Sequence, residues 1–395
     1  AATLAGLAGV VFADREAGRG VRVAVAAVAA ASAGLLAWNH ATGTIGLREA
    51  KGLSEAGNLF SKWNSFSRVT VAETADPDRQ LIMIDADAAT ILYRDAATSE
   101  KHARQRDRIE SLPYHLGGRE NVLIIGPGGG VDVIIARLFG ARSVTAVEVN
   151  PLVARDVMSS EPFRSFSGKL YEQPGVRLVV DEARSFIRRS PEDYDLILGT
   201  MVDTWAATAA GAFALTENNL YTVEAFHDYL GRLTPDGVLS MTRWSQNPPD
   251  QLLRLVSIAR VALRETGAAD PSRHLMLVRG RPEDGQQLAT ATFLLKKAPF
   301  TDPEIERAEA FASRQGFELL YTPSTRPAGP IKHLVEAADP GEFWRGFESD
   351  VSAPRDDRPF FFQSVRWGRL FNPRWARGEW RKTNLGTTVL FTLVA

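Results

Sequence analysis

The sequence predicts an α/β protein centred on a mostly parallel sheet, and three observations carry that expectation. Short apolar runs alternate with helical patterns between residues 121 and 244, as they do when strands are covered on both faces. A glycine-rich turn, Gly126-Pro-Gly-Gly-Gly130, closes the first of those runs. The next run ends in Glu148, 22 residues after Gly126, which leaves room for strand, helix and strand. An acid there stands at the carboxyl end of the second strand, where such sheets hold a nucleotide ribose. Gly126, Gly128 and Gly130 give G-x-G-x-G followed by Val131, not the third glycine of a dinucleotide fingerprint. Together, turn and acid indicate an adenosine-containing ligand; the alternative is a structural turn with a surface Glu.

Periodicity places the elements in order. Residues 41–65 read as a connection, and Phe66 to Asp95 as a small antiparallel β unit around a turn. Glu100 to Glu110 is a charged helical stretch. The sheet domain then runs strand Asn121–Gly126, helix Val131–Gly140, strand Val144–Asn150, helix Pro151–Ser160, strand Val176–Asp181 and helix Glu182–Ser190. Strand Tyr194–Gly199, helix Asn218–Leu233, strand Gly237–Trp244 and helix Pro249–Thr266 follow. His274–Gly280 and Ala289–Lys297 read as an antiparallel edge pair, which makes seven strands. Residues 301–322 add a helix and a short strand, Phe317–Tyr321, outside that sheet. The expected organisation is 1–40 membrane hairpin, 41–110 linker and β unit, 111–300 sheet domain, 301–375 C-terminal extension and 376–395 basic juxtamembrane segment.

Composition excludes several classes. The net charge is −1, so no global field attracts nucleic acid. Cysteine is absent, which removes disulfides, thiolate nucleophiles and Cys-zinc sites. The six His show no metal-ligand spacing, so no metal is expected. The ends are apolar: Ala1 to Phe12, Val23 to Trp38 (16 residues without a charge) and the run after Asn384. A spanning helix needs about 20 apolar residues. These runs, and the lack of a starting Met, read as a piece of a longer integral membrane protein with transmembrane helix pieces flanking a soluble domain. An Ala-rich buried hairpin is the alternative. Arg366, Arg369, Arg374, Arg377, Arg381 and Lys382 before the last run favour a cytoplasmic soluble domain, although Arg15, Arg19 and Arg22 argue the opposite.

Five segments in order carry a resemblance: Val122-Leu-Ile-Ile-Gly-Pro-Gly-Gly-Gly130, Val147-Glu-Val-Asn150, Tyr194-Asp-Leu-Ile-Leu198, Leu220-Tyr-Thr-Val-Glu-Ala-Phe226 and Leu233-Thr-Pro-Asp-Gly-Val-Leu239. The chain resembles the spermidine synthase-like (polyamine aminopropyltransferase) family of class I S-adenosylmethionine-dependent transferases, of the type fused to membrane helices. The resemblance implies a Rossmann-like, methyltransferase-type sheet. It also implies S-adenosylmethionine or its decarboxylated form as co-substrate, and an amine-type or lipid-proximal acceptor at a membrane. A homodimer is a further expectation. Gly126, Gly128 and Gly130 would let the backbone approach the amino-acid end of that co-substrate, and Glu148 would accept both ribose hydroxyls. Glu182, or Asp181 beside it, would receive the adenine amino group; either could instead cap or open a helix. Asp132 could contact the co-substrate amine or simply favour the helix dipole.

The sequence also departs from that family. Gly129 stands where an aminopropyltransferase carries an acid, and in the D-x-x-D arrangement after the fourth strand Thr200 replaces the first acid, leaving Asp203. Asp203 is therefore the candidate catalytic residue, with Thr200, Trp205 and Tyr221 as substrate-side candidates. Trp205 could stack on a cationic acceptor or belong to the core. Glu224 reads as a structural hydrogen-bonding residue. Asp356 to Phe362 reads either as acids closing over the cleft or as an Asp-Arg pair anchoring an apolar strand. The transferred group is aminopropyl or methyl, and a non-catalytic co-substrate sensor is the alternative from outside the enzymes.

Overall fold

The computed structural model describes residues 19–42, 49–86, 88–202, 217–282 and 288–366, and the chain divides into two units after Gly57. In the first unit lie helix α1 (Arg19–Thr42) and a hairpin of β1 (Glu49–Ala50) and β2 (Leu53–Ser54). Among the described residues no helix is long and apolar enough to cross a membrane. This overturns the expected integral membrane protein with flanking transmembrane helices and a cytoplasmic domain. The composition of α1 supplies a reason. Half of Val23–Trp38 is alanine, which carries little apolar surface, and the helix also takes in Arg19, Arg22, Asn39 and Thr42. The other apolar runs, residues 1–12 and 385–395, lie outside the described residues, as does the basic segment from Arg369 onward.

The second unit holds two sheets. β3 (Asn58–Trp63), β4 (Arg68–Glu73), β5 (Arg79–Ile84) and β6 (Ala88–Tyr93) form an antiparallel sheet in sequence order. The expected β unit thus gains β3, which the sequence reading placed in a connection. Four of its six residues are exposed, so the strand shows no run of buried apolar positions.

The larger sheet has eight strands. β11 (Leu233–Trp244), β10 (Tyr194–Thr200), β7 (Asn121–Ile125), β8 (Ser143–Glu148) and β9 (Val176–Val180) lie side by side and parallel. β13 (Thr290–Lys296) joins β11 antiparallel, β12 (Leu275–Arg279) joins β13, and β14 (Glu318–Tyr321) joins β12. Seven strands in this arrangement match the expectation. The eighth, β14, corrects it: the run placed outside the sheet pairs with the buried strand β12, whose edge would otherwise stand open.

Alternation along β7 sends Val122 and Ile124 into one core and Leu123 and Ile125 into the other, as the two-residue strand period requires. The first core is shared with α2 (Val131–Leu138) and the antiparallel sheet; the second takes α3 (Ala183–Arg189), α4 (Val223–Gly231) and α5 (Asp250–Glu265). The order reverses beside β7, since the chain proceeds to β8 on one side and later returns to β10 on the other. In open α/β sheets, ligands bind outside the carboxyl ends of the strands at such a reversal.

Candidate active site

At the end of β7 the chain turns through Gly126, Gly128 and Gly130, with φ of +64°, +50° and +92°. A Cβ is strained in that region, and the surroundings leave no room either. One on Gly128 would stand 3.0 Å from the Thr90 side chain, and one on Gly130 2.4 Å from Leu170 Cδ2. Gly129 is the most confined: its Cβ would lie 2.1 Å from the Ile91 carbonyl oxygen. Its N–H donates to Thr90 Oγ1 at 3.2 Å. β6 therefore lies across the turn, and the acid that the resemblance would place at position 129 has no space.

Glu148 ends β8 and is 7% exposed. Its carboxylate accepts from Gly128 N at 3.4 Å and from Asn150 N at 2.9 Å. Burial pushes the carboxyl above its ordinary range, and the backbone donors partly oppose this. Tyr171 donates its hydroxyl to the Gly128 carbonyl at 3.2 Å. Asn150 bridges to the antiparallel sheet side, donating to Ser67 Oγ at 2.9 Å and accepting from Asn64 Nδ2 at 2.8 Å. Asp181 joins Glu148 through its backbone, N–H to carbonyl, at 3.2 Å, while its carboxylate pairs with Arg189. Glu182 is the N-cap of α3 and accepts from Arg184 N at 3.0 Å and Ser185 N at 2.7 Å.

The structure joins two further candidates that lie 68 residues apart. Thr200, at the end of β10, donates its hydroxyl to Asp132 Oδ1 at 3.1 Å. Asp132 sits in the first turn of α2 and is 7% exposed. Burial first, and then the negative charge of Glu110, push its carboxyl up to about 7. Glu110 is itself buried and pairs with Arg108, Oε2 to Nε at 3.1 Å.

Asp203 and Trp205 lie outside the described residues. The chain leading to them is anchored at Val202, whose carbonyl accepts from Tyr221 Oη at 2.6 Å and Arg243 Nη1 at 3.2 Å. Tyr221 is fully buried and stacks on Phe361 with centroids 4.4 Å apart, so it supports the strand end from within the core. Glu224 accepts from Arg355 Nη1 and from Asp356 N, both at 3.0 Å. Asp356 pairs with Arg184, and Phe361 and Phe362 enter the second core. In the segment from Asp356 to Phe362 an acid thus anchors an apolar stretch, although its arginine comes from α3 rather than from the segment itself.

Sequence reading missed Thr90, Ile91, Glu110, Tyr171 and Arg243. For Arg243 a signal was present: a cation within the apolar run Val238 to Trp244, which needs partners if it is buried. The others come from segments with no motif of their own.

Five parallel strands, a glycine turn after the first and a carboxylate ending the second define the Rossmann-like class of α/β proteins. No family model matches the chain. A polyamine aminopropyltransferase of Streptomyces coelicolor is 34% identical over 132 residues, 32% of this chain and 23% of that protein. One from Korarchaeum cryptofilum is 25% identical over 240 residues, 61% of this chain and 67% of that protein. A spermine synthase of Arabidopsis thaliana is 30% identical over 195 residues, 48% of this chain and 48% of that protein. By sequence, the chain is thus similar over parts of its length to polyamine aminopropyltransferases and a spermine synthase. Its matches span 23% and 51% of the length of the first two curated relatives. Among solved structures, a probable spermidine synthase from Corynebacterium glutamicum is similar with a TM-score of 0.47 and 16% identity, covering 73% of this chain and 96% of that one. The spermidine synthase from Thermotoga maritima gives a TM-score of 0.44 and 17% identity, covering 73% and 86%.

Proposed function

We propose that this chain is an aminopropyltransferase-type enzyme that takes decarboxylated S-adenosylmethionine as donor and an amine as acceptor. The observation that carries the reading is the contact of Gly128 N with the Glu148 carboxylate at 3.4 Å, at the switch point of the sheet. It sets a glycine-rich backbone turn and a two-oxygen acceptor side by side, the pairing that a ribose and its 5′ substituent require. The relatives named above are polyamine aminopropyltransferases and a spermine synthase, which supports aminopropyl as the transferred group. Gly126, Gly128 and Gly130 would admit the donor, Glu148 would hold its ribose, and Asp181 or Glu182 would approach its adenine. Asp203, three residues past the end of β10 in sequence, is the proposed acceptor-side acid.

Methyl transfer from S-adenosylmethionine is the second reading, favoured by the glycine at 129 and the hydroxyl at 200, where the family resemblance expects acids. Calorimetry with S-adenosylmethionine and its decarboxylated form separates the two. The proposal expects the decarboxylated donor to bind more tightly and Glu148→Gln to weaken it at least tenfold. Absence of binding by either nucleoside sinks the reading.

A further inference from the structure

We propose that Asp132, held by the Thr200 hydroxyl, is the carboxylate that receives the acceptor amine and takes its proton, standing in for the acid that position 200 lacks. This rests on the aminopropyl-transfer reading. The geometry is specific. Thr200 ends the strand that leads towards Asp203, and its Oγ1 lies 3.1 Å from Asp132 Oδ1. A carboxylate oxygen from α2 thus comes within hydrogen-bond distance of the side chain at the expected acid's own position. The departure at 200 then becomes a relocation of charge from one element to its neighbour. Position 129 offers no such compensation, because the Ile91 carbonyl fills it.

A second observation points to a polar guest. Tyr114 is 5% exposed, its hydroxyl has no hydrogen-bond partner, and its phenol lies within range of the Asp132 charge. An orphaned buried hydroxyl is costly to a fold, and a bound polar group beside Asp132 would complete its bonding. The charged and titratable groups around Asp132 are Glu110 and Arg108 on one side, with Tyr114 and Tyr171 beside it; Thr200 supplies the neutral hydroxyl from β10.

The step balances without a further reagent. An acceptor R–NH3⁺ gives one proton to the Asp132 carboxylate, and its lone pair attacks the aminopropyl carbon bound to sulfur. The C–N bond forms, the C–S bond breaks, and its electron pair stays on sulfur, leaving a neutral thioether. The product is a secondary ammonium, and the proton on Asp132 passes to water. An aliphatic amine of pKa near about 10 is otherwise mostly protonated at neutral pH, so a positioned base is required.

The test measures ternary binding with putrescine as probe and methylthioadenosine as the nucleoside. The inference expects putrescine affinity for the nucleoside complex to rise as pH rises through about 7. Asp132→Asn should lower that affinity at least tenfold at pH 8 and flatten its pH dependence, while methylthioadenosine affinity stays within threefold. Thr200→Val should move the pH step upward, because it removes a hydrogen bond that favours the charged carboxylate. The double variant Asp132→Asn with Thr200→Asp should recover putrescine binding. Unchanged putrescine binding in Asp132→Asn overturns the inference, as does a parallel loss of methylthioadenosine, which would place Asp132 on the donor side. Should Asp132→Asn fail to fold, an unmoved pH step in Thr200→Val overturns it instead. A wild-type chain that binds no methylthioadenosine overturns the aminopropyl-transfer reading rather than this one.

Discussion

Arg184 gives both terminal nitrogens to Asp356, at 2.6 and 2.7 Å, and its Nε to Asp228 at 2.7 Å. The guanidinium is 9% exposed, whereas Asp356 is 43% exposed. Asp356 also accepts from Thr222 Oγ1, the N-cap of α4, at 2.7 Å. Two helices and the C-terminal segment therefore meet at one buried cation.

Removing the anion should cost more than a surface ion pair does, because Arg184 would keep a buried charge with one partner fewer. Asp356→Ala is expected to destabilise the protein by about 2 kcal/mol, a figure reduced for the exposure of Asp356 to solvent. The Arg184 hydrogen bond holds the Asp356 carboxyl below its ordinary range. A depressed carboxyl contributes stability above its unfolded pKa and loses it as pH falls. Urea denaturation should therefore show the two proteins converging below pH 4. A constant gap down to pH 3 would contradict the clamp.

Gly129 should tolerate no side chain. Both Gly129→Ala and Gly129→Asp would press on the Ile91 carbonyl, which is backbone and cannot rotate away. Each is expected to lower stability by about 2 kcal/mol or more and to weaken nucleoside binding. A Gly129→Asp variant with an unchanged melting temperature would show that β6 does not hold the turn as described.

Asp132 gives a stability signature opposite to that of Asp356. Its folded carboxyl is raised to about 7, so the folded state favours the protonated form. Stability is then undiminished below the unfolded pKa of about 3.9 and falls as pH rises from there towards 7. Asp132→Asn should match wild type at about pH 3 and exceed it at pH 8 by a few kcal/mol, since each pKa unit is worth about 1.4 kcal/mol. Equal stability of the two at pH 8 would mean that the buried charge costs nothing.

Tyr221→Phe keeps the ring stack on Phe361 and loses the hydroxyl bond to the Val202 carbonyl. About 1 kcal/mol of stability should go. Because Val202 leads directly to Asp203, acceptor turnover should fall by more than the melting temperature suggests, with donor affinity unchanged. A loss of donor affinity would place Tyr221 elsewhere in the mechanism.

What could be read from the sequence was local in character. Asn121–Ile125 and Ser143–Glu148 are short apolar strands, and Gly126 and Glu148 mark their ends, so the succession of strands and helices along the chain followed from periodicity and turn chemistry. β3 escaped because an edge strand facing solvent has no buried alternation. β14 was seen as a strand, but its partner was not, since pairing across the sheet leaves no mark in a four-residue run. The nearness of the glycine turn to Glu148 was legible, because one motif held both. Meetings of separate segments were not: Thr200 on Asp132, and Ile91 over Gly129, depend on tertiary contacts that spacing does not encode. The apolar run Val23–Trp38 misled for a different reason, as alanine counts as apolar in a pattern yet adds little to the transfer energy of a spanning helix.

β6 is the last strand of its sheet, with β5 on one side only. On its open side stands the glycine turn, meeting it at Thr90 and Ile91. An uncovered edge of that kind is a template for strand addition by another chain. The turn therefore covers part of that edge. A substitution that lifts it from β6 would spoil the fit for a nucleoside and, in the same movement, bare Ala88–Tyr93 as a sticky edge. Variants selected in this loop for a new ligand would then lose yield and monodispersity before they lose their fold.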